Sequence, residues 1–174
     1  MIRNLSFTKQ PPDLATLEEI KSCEGKLGFR FQPAFVEFCL RWNGGFPDRQ
    51  NRVYPVPRSF ELYHHEYKNS SGVLVLTLYG VTPYAPCSLT KAYALLNEDS
   101  DLGIMPIAGD LFGNQVVVRT DASTETVFWK DRDLWEPAEN PQPGPQYAEK
   151  PYLMSIADNL EMFYNGLTVD PDGE

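Results

Sequence analysis

Leu102–Thr120, LGIMPIAGDLFGNQVVVRT, carries two apolar runs, Ile104–Ala108 and Val116–Val118, on either side of Gly109-Asp110-Leu111-Phe112-Gly113-Asn114. Apolar, β-branched runs flanking a Gly/Asp/Asn cluster predict a strand pair joined by an ordered turn. Val116, Val117 and Val118 are continuous rather than alternating, so both faces of that strand are expected to be covered. This places the segment at the centre of a sheet. The turn has two readings. Asp110 and Asn114 could offer oxygen ligands to a hard cation. Alternatively, Asp110 accepts backbone N–H bonds within the turn while Gly109 and Gly113 take positive φ. The second is preferred, because no further acidic cluster stands at loop-ligand spacing.

Working towards the N-terminus, Ser88 is a candidate cap for a helix SLTKAYALLNED, with Leu89, Ala92, Leu95 and Leu96 on one face and an end near Asn97–Asp99. Before it, Arg52–Val56, Phe60–Tyr67 and the long run Val73–Tyr79 read as strands, with a turn at Ser70-Ser71-Gly72. Pro33 suits the first turn of a helix in which Phe35, Phe38, Cys39 and Trp42 repeat at helical steps. That helix stops at Asn43-Gly44-Gly45, with Pro47 beyond. A first amphipathic helix is expected over Asp13–Leu27, burying Leu14, Leu17, Ile20, Cys23 and Leu27. Asp13 or the pair Thr16/Glu19 would cap it, and Gly28 would end it. Residues 1–12 read as an irregular lead-in.

Towards the C-terminus, Glu125–Lys130 reads as a strand. Residues 136–151 hold Pro137, Pro141, Pro143, Pro145 and Pro151, which forbid a helix or an inner strand and imply a surface loop. The loop is either a connector or a polyproline II docking segment. Ser155 and Asp158 resemble a capping box for a closing helix, with Ile156, Leu160, Phe163 and Leu167 at helical spacing. Helices first, strands in the middle and a helix last give an α+β single domain. The expected architecture is a central twisted, mostly antiparallel sheet with an N-terminal helix pair and a C-terminal helix packed against it.

Composition narrows the function. A hydrophobic content of 42% with 13% aromatics marks a folding chain. No apolar run approaches the ~20 residues of a membrane span, and the N-terminus shows no secretory signal. The cysteines, Cys23, Cys39 and Cys87, are odd in number and widely spaced, which fits a reducing, cytoplasmic compartment and no metal framework. Cys23 and Cys39 fall on apolar helix positions and read as buried thiols. His64 and His65 are adjacent, and strand neighbours point to opposite faces, so they do not make one metal site. Composition leaves open a Cys/His pair, or an enzyme using Asp110 with Asn114 or His64. With 24 acidic and 15 basic residues the net charge is −9. Nucleic acid is therefore an unsuitable partner and a basic protein a suitable one. No phosphate loop, nucleophile elbow or zinc-peptidase motif occurs.

Two groups of residues carry a resemblance. Trp42-Asn43-Gly44-Gly45 closes the aromatic helix, and Pro106-Ile107-Ala108, Asp110 and Gly113-Asn114 precede Val116–Val118, with Val127-Phe128-Trp129 and Asp131 following. In this order they resemble the SUKH superfamily, which takes in cell-wall assembly regulators and bacterial immunity proteins. The likeness spans about residues 14–167, within one domain over 1–174. The final helix departs from the pattern, with Ile156 and Leu160 in place of aromatics. Trp42, Asn43, Gly44, Gly45, Pro106, Asp110, Gly113 and Asn114 are thereby implied to be structural. The resemblance implies a non-enzymatic protein, without catalytic residues, cofactor or metal, that binds and neutralises a cognate toxin domain such as a nuclease. The alternative is a regulatory or adaptor module of the cell-wall type. Charge and expected exposure nominate Asp48, Tyr54, Glu61, Tyr63, Glu66, Asp131, Trp135 and Glu136 as partner contacts. The expected assembly state is a monomer or weak homodimer.

Overall fold

Five strands form the main sheet of the protein, seen here in a computed structural model that describes residues 1–56, 72–96, 103–110, 112–121, 125–130 and 153–169. Ile104–Gly109 (β6) and Gln115–Arg119 (β7) pair antiparallel, as the central stretch predicts. The full order is β5-β6-β7-β8-β9, with Thr77–Leu78 as β5, Val127–Lys130 as β8 and Leu153–Ala157 as β9. β7 is thus the middle strand, and Val116, Val117 and Val118 are all buried. Val116 and Val118 join the main core, whereas Val117 faces a second cluster with Ile104 and Leu96. Pro106 has no N–H to give to the ladder, and it stands where the register shifts between Pro106 and Ala108.

Among the described residues four helices accompany the sheet: Leu17–Leu27 (α1), Pro33–Arg41 (α2), Leu89–Leu96 (α3) and Leu160–Gly166 (α4). α1 starts later than expected. Thr16 and Glu19 form the capping box, and the Asp13 carbonyl accepts from Asn43 Nδ2 instead. Leu14 and Leu17 therefore stay more than half exposed, and the buried face narrows to Ile20, Cys23 and Glu24. α2 packs through Phe35, Phe38 and Cys39, and the Phe38 ring stacks on Tyr164 of α4 at 4.8 Å. Burying such side chains contributes about 1.5–3 kcal/mol each. In α3, Leu89, Ala92 and Leu96 are buried, but Leu95 is 80% exposed, one step off the buried face.

Three further expectations change. Val73–Tyr79 is not one strand. Gly72–Leu74 (β4) pairs with Val53–Pro55 (β3), after which Val75 donates to Arg52 and Leu76 to Gly109, so the chain changes partner mid-run. Ser155 and Ile156 belong to β9, not to the last helix, which Asn159 caps by accepting from Met162 N–H. The lead-in is part of the core. Ile2 and Leu5 are buried, and Phe7–Lys9 (β1) pairs with Phe46–Pro47 (β2). The Ile2 N–H donates to Glu37, and Arg41 donates to the Ile2 carbonyl. Phe60–Tyr67, the expected helix end at Asn97–Asp99, and the proline-rich 136–151 lie outside the described residues. Among the described residues no helix is long and apolar enough to cross a membrane.

Candidate binding surface

Trp42–Gly45 shows what the Asn-Gly-Gly sequence is for. Trp42 ends α2 with its indole under the Arg41 guanidinium, 4.1 Å from ring centre to Cζ. Asn43, Gly44 and Gly45 then take three successive positive φ angles, 55°, 94° and 141°. Such a run needs residues without a Cβ penalty, and Asn tolerates it best among the others. The turn brings Gly45 alongside Leu78, and the two exchange N–H···O bonds of 3.0 and 2.9 Å. There is no room to spare. A Cβ on Gly45 would lie 2.8 Å from the Lys9 carbonyl oxygen, and one on Gly80 would lie 2.3 Å from the Asn43 carbonyl. Asn43 is buried here with its Oδ1 lacking a donor.

The second motif meets the same strand from the other side. Leu78 pairs with Ala108 and Thr77 with Gly109. Beyond Gly109, Asp110 Oδ1 accepts the N–H of Phe112 (2.8 Å) and of Asn114 (2.9 Å), while its Oδ2 accepts Asn114 Nδ2 at 2.8 Å. Gly113 takes φ 89°. Gly109 does not take a positive φ. It is a strand residue that leaves space for the Tyr79 hydroxyl, 2.4 Å from where a Cβ would stand. Trp42–Gly45 and Pro106–Asn114 thus grip the two-residue strand β5 between them and fasten the helix pair to the sheet. Among the described residues no three His, Cys, Asp or Glu side chains converge for a metal.

The thiols are equally inward-looking. Burial pushes Cys39 up to about 12 and Cys87 up to about 11, and it raises Cys23 too. All three are free and buried, Cys87 included.

Of the nominated contacts, two are described. Tyr54 is not exposed: at 8% accessibility its ring packs on Phe163, 5.2 Å between centroids, and lies over Gly166. Position on the short strand β3 turned it inward. Asp48 is half-buried and caps the 3-10 turn Arg49–Asn51, accepting from Gln50 N–H and Asn51 Nδ2. Burial pushes its carboxyl up, but Ser6, Asn51, the Gln50 amide and Arg52 outweigh that and hold it below the usual range. Glu61, Tyr63, Glu66, Asp131, Trp135 and Glu136 lie outside the described residues, as do His64 and His65.

A feature that sequence reading missed is an open groove of about 680 Å³ between the start of α2 and α4. Ala34, Met162 and the edge of Tyr54 form its apolar part, Glu125 and Glu161 its acidic part, and the Gln32 side chain its wall. Residues far apart in sequence build it, and only the charge of Glu125 and Glu161 could have hinted at it.

A family model described as the SMI1 / KNR4 family (SUKH-1) matches residues 14–166. No curated protein and no solved structure matches the chain.

Proposed function

The chain belongs to the SMI1 / KNR4 family (SUKH-1), and from that premise we propose that it is a non-enzymatic, cytosolic immunity-type protein that binds a cognate toxin domain and blocks it. The observation that carries this reading is where the motif residues go. Trp42–Gly45 and Pro106–Asn114 are spent on holding β5, which leaves partner contact to other surfaces, such as the groove between α2 and α4 with its acidic and apolar lining. A net charge of −9 speeds encounter with a basic toxin such as a nuclease domain. Glu61, Tyr63, Glu66, Asp131, Trp135 and Glu136 remain proposed contacts by charge and aromatic character. The test is co-expression with a toxin encoded beside this chain. Growth rescue and co-purification as one complex are expected. Unrescued growth contradicts the reading, and recovery of a cell-wall or signalling enzyme in place of a toxin supports the family's regulatory role instead.

A further inference from the structure

We infer that the exposed leucine face at the entry of α1 is a second contact area, apart from the groove between α2 and α4, and that it takes the apolar side of a lysine- or arginine-rich helix of the partner. This names partner chemistry, and it rests on the protein-binding reading above.

Three leucines make the face. Leu14 is 55% exposed, Leu17 56% and Leu40 36%. The Ala15 N–H donates to the Cys39 carbonyl at 3.3 Å, so Leu14 and Leu40 flank the bond that ties the entry of α1 to the last turn of α2. Leu17 opens α1 three residues after Leu14. The helix cannot roll to hide it. The Thr16/Glu19 box fixes one end of α1 and Gly28 the other, Ala15 and Ile20 are buried at the two positions of a hydrophobic staple, and Ile20, Cys23 and Glu24 fill the inner face. Leucines grouped and held outward in this way, with polar residues around them, mark an interaction site.

Charge around the leucines selects the occupant. Asp13 and Glu18, the sequence neighbours of Leu14 and Leu17, are exposed and make no ion pair with a described residue. The nearby cations are engaged elsewhere: Arg41 is held by Glu37 at 3.0 Å and lies over Trp42, and Lys21 lines the hollow beside Glu24 and Arg30. A second copy of the chain would set the same carboxylates, and a net charge of −9, against each other, whereas a basic segment meets opposite charge. Backbone groups beside Leu14 are already used, since the Asp13 carbonyl accepts from Asn43 and the Ala15 N–H is bonded to Cys39. A partner strand docks through free backbone groups. A helix satisfies its own backbone and presents apolar side chains at three- and four-residue steps, which suits a face made of side chains.

The experiment is a titration of ¹⁵N-labelled full chain with a helical peptide of repeated Leu-Lys-Lys-Leu units, and in parallel with one of repeated Leu-Glu-Glu-Leu units of equal length. The lysine peptide is expected to shift the amides of Leu14, Leu17, Glu18 and Leu40. The glutamate peptide should bind about tenfold more weakly. A Leu14→Ser, Leu17→Ser protein keeps every charge and should also lose about tenfold for the lysine peptide. Equal binding of the lysine peptide by this variant and the wild type overturns the proposal, because charge alone then carries it. So do shifts confined to other surfaces, and so does a variant that unfolds, which would make the leucines part of the scaffold. A wild-type dimer in sedimentation that the serine variant abolishes gives the face to a second copy and overturns it as well. Failure here and failure of the toxin reading are separable: growth rescue by wild type and serine variant alike moves the interface elsewhere and keeps the toxin, whereas peptide binding without rescue keeps the face and removes the toxin.

Discussion

The two ends of α2 are built in opposite ways. At its C-terminal end, Trp42–Gly45 is packed to backbone contact, and β5 is held in place by two motifs at once. At its N-terminal end no side chain caps the helix, Gln32 keeps an orphan donor, and the surface opens into an acid-rimmed groove. A place where a Cβ has no room can only be scaffold. A place with exposed apolar area and solvent-facing carboxylates can take a partner. The family resemblance rests on the first kind of residue, so it identifies the frame and leaves the contact surface to be found from geometry.

The largest expected effect lies between those ends. Tyr164 is wholly buried against Phe38, with its hydroxyl unpaired and burial raising its pKa well above the ordinary tyrosine value. Tyr164→Ala should cost about 3–5 kcal/mol in chemical denaturation, whereas Tyr164→Phe should cost nothing or stabilise by about 1 kcal/mol, because it removes a desolvated group. At the closed end, Gly80→Ala drives a methyl into the Asn43 carbonyl and should cost about 3 kcal/mol by the same measurement. If Gly80→Ala is neutral, the corner is looser than the backbone contact implies.

A smaller effect concerns how α2 is aimed. Glu24, 9% exposed, accepts the Phe31 N–H at 2.8 Å and pairs with Arg30 at 2.7 Å, fixing the connector that leads to Gln32. Burial raises its carboxyl, but the Phe31 amide and Arg30 outweigh burial and leave it below the usual value of 4.5. A carboxylate with a lowered folded pKa stabilises above its unfolded pKa, and that stabilisation is lost as pH falls through the folded one. Glu24→Gln should therefore cost about 1–3 kcal/mol at neutral pH, and its gap from the wild type should close as urea titrations are moved below pH 4.5. A gap that widens in acid would reverse the assignment. The smallest effect belongs to the open end, where Gln32→Ala and Glu125→Gln should leave unfolding free energy within about 0.5 kcal/mol of wild type.

Legibility in the sequence follows the range of the forces involved. α2, the β6–β7 hairpin and the Asp110 turn are local, so periodicity and turn chemistry predict them. The Thr16/Glu19 box is local too, and it shows why Asp13 does not start α1. β9 escapes because Leu153–Ala157 is half-exposed and becomes a strand only by pairing with β8. The split of Val73–Tyr79 escapes because Arg52 and Gly109 compete for its backbone from distant positions. Ile2 and Leu5 were apolar signals in an otherwise irregular stretch, and Glu37, Arg41 and Asn165 pin that stretch to the fold. The groove draws on four separate segments, so no local pattern could announce it.

The proposal that α2 holds the fold at one end and borders a partner-binding groove at the other comes down to one assay, growth of cells expressing a toxin encoded beside this chain, with either wild-type protein or the folded Glu125→Gln, Glu161→Gln protein supplied. Protection by the wild type and its loss in the double variant is the predicted result. Equal protection by the two would contradict the claim.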